Sequence, residues 1–445
     1  MDFTILKEML DRRQFTRLTH ILKTMRGVDI ADFLEELDHK AALLVFRLLP
    51  KDLAVDVFSN LSTQHQSEFS MIVDERELAN IVEELFFDDR IDYIEEMPAY
   101  VVKRILKNSS EMERRLINQF LNYPEDSAGS IMTIEFVDFK KHISVREALR
   151  RIRNTAQQKE TIYTCYVIDD ERRLEGIVTL KDLVLANPDD KIQAIMETQI
   201  IYVNTYDDQE NIADVFKRYG FLALPVVDQE RRLVGIITVD DIVDVIELEN
   251  TEDFHRMGAI QPFRESYLHT SVTQLAKNRI LWLMFLMISA TISGGIIRNY
   301  ESALEKIVAL TVFLPMLMDT GGNAGSQSST LVIRSIALGE ITVRDTLKVI
   351  WKELKVSFLV GLPLAIVNLL KIYYIDGYGM LLALTVSTTL LVTVVFAKIV
   401  GGILPMIAQR FRIDPAIMAS PLITTIVDAI SLIFYFRFAV WIMGI

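Results

Sequence analysis

At 445 residues the chain is long enough for two or three domains, and its net charge of −13 sits beside an apolar content of 51%. The acidity argues against nucleic acid as a partner, because neutralising phosphates takes Lys and Arg patches, and leaves divalent cations as natural partners. The single cysteine, Cys165, excludes a disulfide framework and a thiolate metal site, and the six scattered histidines argue against zinc catalysis.

Charge and apolarity are unevenly spread. Residues 1 to about 270 are charged throughout, whereas from about 280 the chain is mostly Leu, Ile, Val, Met, Phe and Ala. This asymmetry reads as a soluble part followed by a membrane part. The N-terminal stretch "MDFTILKEMLDRRQ" is too charged for a signal peptide, so the soluble part is expected in the cytoplasm. No nucleophile, base and orienting group converge in any readable motif, so an enzyme is not expected.

From Asp29 to about Asn122, apolar residues recur at three- and four-residue spacing, and Pro50 and Pro98 restart the pattern at similar points. The first domain, 1–129, is therefore expected to be an all-α superhelix of short amphipathic helices. A clearer repeat follows. "YVIDDERRLEGIVTLKDL" from Tyr166 aligns without gaps to "PVVDQERRLVGIITVDDI" from Pro225. Each copy reads as strand, charged turn, strand, then Thr-x-x-Asp opening a helix.

Two such units resemble a tandem pair of CBS domains, an α/β module expected over 130–246. The resemblance implies an adenine nucleotide such as ATP at Thr179, Asp182, Thr238, Asp241 and Phe221. The same Thr-x-x-Asp spacing also suits plain helix N-terminal caps. Between Ile242 and Ser271 the sequence predicts a long acidic connecting helix, with 247–272 as a segment of its own. Asp240, Asp244 and Glu247 there recur at four and three residues, so like charges stack on one face and repel unless a cation intervenes. An ordinary solvated acidic face has the same pattern.

The membrane part, 273–445, offers five runs of the length a spanning helix needs: about 280–297, 307–333, 356–374, 380–407 and 416–443. Basic residues cluster before the first run, between the second and third, and between the fourth and fifth. The positive-inside rule then puts the N-terminus in the cytoplasm and Ile445 outside. One chain holds no second, inverted set of five, so a symmetric pore takes two chains.

The second run carries "DTGGNAGSQSS" from Asp319. Pro315 should weaken a helix there, and Thr320, Gly321, Gly322 and Asn323 would leave carbonyls unshielded, as irregular backbone lining a cavity does. Gly321 and Gly325, continued by Ser329, are equally a small-residue stripe for close helix packing. The fifth run places Asp428 amid apolar residues, with Thr424, Thr425 and Ser431 on its face. An intramembrane acid is costly enough to suggest function, unless Lys398 of the fourth run simply pairs with it. One carboxylate edged by hydroxyls and carbonyls suits a largely hydrated Mg2+ better than a Ca2+ cage of about six to eight oxygens, and would also suit a proton relay.

"DTGGNAGSQSS", "DPAIMASPLITTIVDA", the "YPEDSAG" junction at Tyr123–Gly129, the CBS pair and the helical N-domain together resemble the bacterial MgtE family of magnesium channels and transporters. The resemblance implies a homodimer in the cell membrane, an ion path along the dimer axis, and cytoplasmic domains that sense Mg2+ and close the pore. Carried onto this sequence, it makes Asp428 the pore acid, with Gly321, Gly322, Asn323 and Thr424 beside it. The sensor residues are Asp88, Asp92, Asp208, Glu210, Asp240, Asp241, Asp244, Glu249, Glu252 and Asp253, with Asp56 and Gly129 as weaker matches. Gly220 stands where some members carry an Asp, which weakens one sensor site. A proton- or ion-coupled carrier using Asp428 is the competing function, and a nucleotide sensor without transport is a third.

Overall fold

The computed structural model describes residues 3–73, 75–263, 267–268 and 270–444. Ile445, which the charge pattern puts outside, lies beyond the described residues. The chain forms two compact units, Met1–Ile246 and Glu247–Ile445.

The first unit opens with a run of short helices, from α1 (Thr4–Asp11) to α10 (Glu111–Phe120). Pro50 and Pro98 sit at the N-caps of Lys51–Ser59 and Ala99–Asn108, so each proline starts a helix, where its missing N–H costs nothing. α10 is held by a capping box between Ser110 and Glu113. Phe33, Phe58 and Phe120 are fully buried between the helices. This is the expected all-α stack.

Two three-stranded sheets follow. β1 (Val137–Phe139) pairs parallel with β2 (Thr164–Ile168), which pairs antiparallel with β3 (Leu174–Thr179). The second copy repeats this with β4 (Val203–Asn204), β5 (Ala223–Val227) and β6 (Leu233–Thr238). Each hairpin turns on an arginine in the left-handed region, Arg172 at φ 66° and Arg231 at φ 63°, so the duplication extends to the turns. Helices α11 (Val145–Thr155), α12 (Leu180–Leu185), α13 (Ile192–Ile195) and α14 (Gln209–Tyr219) complete the module. Gly220 ends α14 at φ 67°, a left-handed cap that glycine adopts without strain.

The connecting helix differs in its limits from the segment expected over 247–272. α15 runs unbroken from Val239 to Met257, so its first turns belong to the second CBS unit. It ends well before Ser271, where Gly258 closes on Phe254 and Ala259 takes φ 53°.

Beyond it lie α16 (Val272–Asn299), α17 (Glu301–Lys306), α18 (Ala309–Val312), α19 (Leu314–Ala337), α20 (Thr346–Leu370), α21 (Met380–Arg410) and α22 (Ser420–Met443). Among the described residues, four helices are long and apolar enough to cross a membrane, those built on α16, α20, α21 and α22. The second of the five expected runs does not qualify. Its start is broken into short helices between residues 301 and 313, and α19 is too polar.

Candidate ion path and metal sensor

α19 is a continuous helix through Thr320, Gly321, Gly322 and Asn323, which corrects the expectation of irregular backbone. Pro315 lies in its first turn, where it disturbs no internal bond. The glycines serve close packing. A Cβ on Gly321 would lie 2.6 Å from Thr393 Cγ2 and 2.9 Å from Val427 Cγ1, and one on Gly322 would lie 2.8 Å from Thr424 Cγ2. Gly325 packs the same way, its backbone against Gly401. Gly321→Val should therefore push α19 off α21 and α22 and lower the yield of folded protein on size exclusion. A well-folded variant with only its ion flux blocked would restore these glycines to the path.

Asp428 is half-buried on α22. The hydroxyls of Thr424 and Thr425 both donate to the carbonyl of Pro421, and Ser431 donates to that of Val427. Their protons are spent on their own helix, so their free lone pairs suit a cation rather than an anion. Among the described residues no ion pair joins Asp428 to Lys398. The charge that Asp428 does feel is Asp319, on α19, an acid that the sequence pattern alone does not single out.

Asp319 heads a pattern. Asp319, Asn323, Gln327, Thr330 and Arg334 are all exposed on α19, and at their spacing they line one face. Gly321, Gly325 and Ser328 occupy the opposite face and are buried. A helix wedged among apolar helices thus carries a polar stripe from end to end. Hydrocarbon does not tolerate such a stripe.

A second concentration of acids lies in the first unit. Asp88, Asp89 and Asp92 belong to α8 (Phe87–Glu96), Asp240 and Asp241 open α15, and Glu160 follows α11. Asp88 is buried and held well above the usual carboxylate range by burial, then by Asp241 and Glu160. Burial, and after it neighbouring acids, push Asp89 up to about 6, Asp92 to about 7, Glu160 to about 8 and Asp241 to about 6. Asp56 joins through its effect on Asp89. Among the described residues, none of Asp88, Asp89, Asp92, Asp240 and Asp241 is ion-paired with Lys or Arg. Nor do three or more His, Cys, Asp or Glu side chains converge there in ready metal-binding geometry.

The remaining expected sensor residues lie elsewhere. Asp208 caps α14 by accepting from the Glu210 N–H, and pairs through its backbone with Ser127. Gly129 donates to the carbonyl of Thr205 and packs against the Tyr123 ring, so it and Asp208 share one junction. In the second unit, Glu252 and Asp414 both pair with Arg256, so these two acids already share a cation. Asp253 is pushed up to about 6 by burial, Asp414 and Glu249, against Arg334. Asp244 is exposed on α15.

The Thr-x-x-Asp pairs are caps. Thr179 and Asp182 form a capping box on α12, and Thr238 Oγ1 donates to Asp241 at 2.6 Å. A cavity of about 1340 Å³ between the two CBS units is lined by Thr179, Tyr163, Tyr219 and Phe221, but not by Asp182, Thr238 or Asp241. Of the five residues expected at a nucleotide, only two reach this cavity.

The model of the MgtE divalent cation transporter family matches residues 314–438, that of the MgtE intracellular N domain 25–126, and CBS domains 128–189 and 192–248. The chain is 37% identical over 438 residues to the magnesium transporter MgtE of Thermus thermophilus, covering 98% of this chain and 97% of that protein. This chain belongs to the MgtE family. The Bacillus subtilis magnesium transporter MgtE is 32% identical, covering 95% of this chain and 96% of its own. Two solved structures resemble about half of this chain. One is the soluble part of a magnesium transporter, at 31% identity and TM-score 0.53, covering 56% of this chain and 97% of that one. The other is the cytosolic domain of the Mg2+ channel MgtE in complex with ATP, at 37% identity and TM-score 0.51, covering 54% and 98%.

Proposed function

We propose that this chain conducts Mg2+ across the cell membrane as a homodimer, with α19 as a fifth spanning helix and the N-terminus in the cytoplasm. The observation that carries this reading is the exposed polar stripe of α19 beside Asp428. In a dimer that stripe faces its twin across an aqueous path and escapes the lipid. A hydrated Mg2+ keeps several waters and needs few carboxylates, which the Asp428 pair, backed by Thr424 and Asn323, supplies. The acids of α8 and α15 act as the Mg2+ sensor, and the CBS cavity takes ATP, a reading supported by the solved complex of an MgtE cytosolic domain with ATP. Currents across planar bilayers with Mg2+ as sole permeant cation test the channel. Uptake without current, dependent on a proton gradient, would instead establish the coupled carrier.

Asp319 adds a prediction. Its carboxylate sits at the entrance of the same stripe, so Asp319→Asn should raise the Mg2+ concentration for half-maximal uptake several-fold, leaving expression unchanged. Unaltered concentration dependence in proteoliposomes would remove Asp319 from the path.

A further inference from the structure

Lys398 is buried in α21, only 4% exposed, at the level of a membrane-spanning helix. An ammonium there is expensive unless something holds it. Asp428 does not. Instead Lys398 Nζ donates to Ser328 Oγ at 3.4 Å, and Ser328 Oγ donates to Glu353 Oε2 at 2.6 Å. Ser328 belongs to α19 and is 1% exposed, while Glu353 belongs to α20 and packs its stem against Gly402 of α21. A hydroxyl can accept and donate at once, so the serine transmits the pairing between two opposite charges that do not touch. One cation thus joins three helices.

The location of this relay gives it a task. Ser328 lies on the face of α19 opposite Asp319, Asn323 and Gln327. One turn before it, Gly325 meets Gly401, which is itself one turn beyond Lys398. Glycines in contact let helices approach closely but offer no side chain to stop one rotating against the other. The relay supplies that stop. We propose that Lys398 is a positioning residue for ion flow: through Ser328 and Glu353 it fixes the rotation of α19, and so the aim of its polar stripe relative to Asp428. The inference rests on the reading of that stripe as the ion path.

The test is Mg2+ uptake into proteoliposomes, measured across Mg2+ concentration, for the full-length protein. Lys398→Met keeps the length of the side chain and removes its charge. It should lower the maximal rate about tenfold, the scale of a modest misplacement of reacting or binding groups. Lys398→Met combined with Glu353→Gln leaves no buried charge unpaired but no link to α21 either, so it should fold and stay about tenfold slow, which the penalty of an unpaired buried charge alone does not predict. Should Lys398→Met fail to fold, the double variant carries the test: folded and slow supports the clamp, folded with the wild-type rate overturns it. Wild-type rates in Lys398→Met also overturn it. Asp428→Asn separates the two levels. If it transports normally, the path itself is misassigned; if it is inactive while Lys398→Met is not, only the clamp fails.

Discussion

Asp428→Ala is expected to abolish Mg2+ uptake while the protein remains a folded, membrane-inserted species on size exclusion. The expectation follows from an acid half-buried on α22 without a basic partner among the described residues, edged by hydroxyls whose protons are already engaged. Removing the carboxylate takes away the charge that offsets dehydration of a divalent ion, and the side chain is partly exposed, so little packing is lost. Asp428→Asn keeps the outline but not the charge, so residual flux should lose its preference for divalent over monovalent cations. Normal Mg2+ uptake in a folded Asp428→Ala protein would dismiss this residue from the mechanism.

The second large effect is an expected pH dependence in the first unit that Mg2+ cancels. Burial, and after it nearby acids, push Asp89, Asp92, Glu160 and Asp241 up to about 6, 7, 8 and 6. Carboxylates raised on folding stabilise the folded arrangement relative to the unfolded one at low pH. That contribution is lost as pH climbs through their folded values. Without divalent cations, the contact of α8 with the start of α15 should therefore loosen progressively from about pH 4, the ordinary carboxylate value, up to about pH 8, where the last of the folded values is passed. The opening equilibrium gains up to about tenfold for each pH unit by which a folded value exceeds the ordinary carboxylate one. Mg2+ replaces the protons and closes the contact again. Limited proteolysis of the full-length protein in detergent, from about pH 5.5 to 8.5 with EDTA or Mg2+, reads this out. Cleavage in EDTA that ignores pH would show that these acids do not govern the contact.

Much of this architecture is legible because it repeats or alternates. The N-domain helices announce themselves by spacing and by Pro50 and Pro98, and the CBS pair by a duplication that reaches the left-handed arginines of both hairpins. Asp428 stands out by contrast with its apolar neighbours. What stays hidden depends on chain segments meeting. Glu160 is an isolated acid in a loop, with no local pattern to mark it. Asp89 is shadowed by Asp88, and Asp414 reads only as part of a motif. Asp319 groups in sequence with the glycines after it rather than with Asn323 and Gln327 further along its face. The continuity of α19 is not legible because glycine costs a helix about 1 kcal/mol, and only contacts with Thr393, Val427 and Thr424 from two other helices offset that.

The buried lysine also bears on how the membrane domain is made. Ser328 and Glu353 precede Lys398 in the chain, so both leave the ribosome before it. A lone lysine near the centre of an inserting helix costs about 2.5–3.5 kcal/mol on translocon scales. α21 arrives with its counter-charge already synthesised on α20, the helix immediately before it. The two helices can then partition into lipid as a paired hairpin with their charges matched, and α19 supplies the hydroxyl that joins them. A nascent chain lacking α20 would present α21 with no such partner, so insertion of α21 should depend on the helix made just ahead of it.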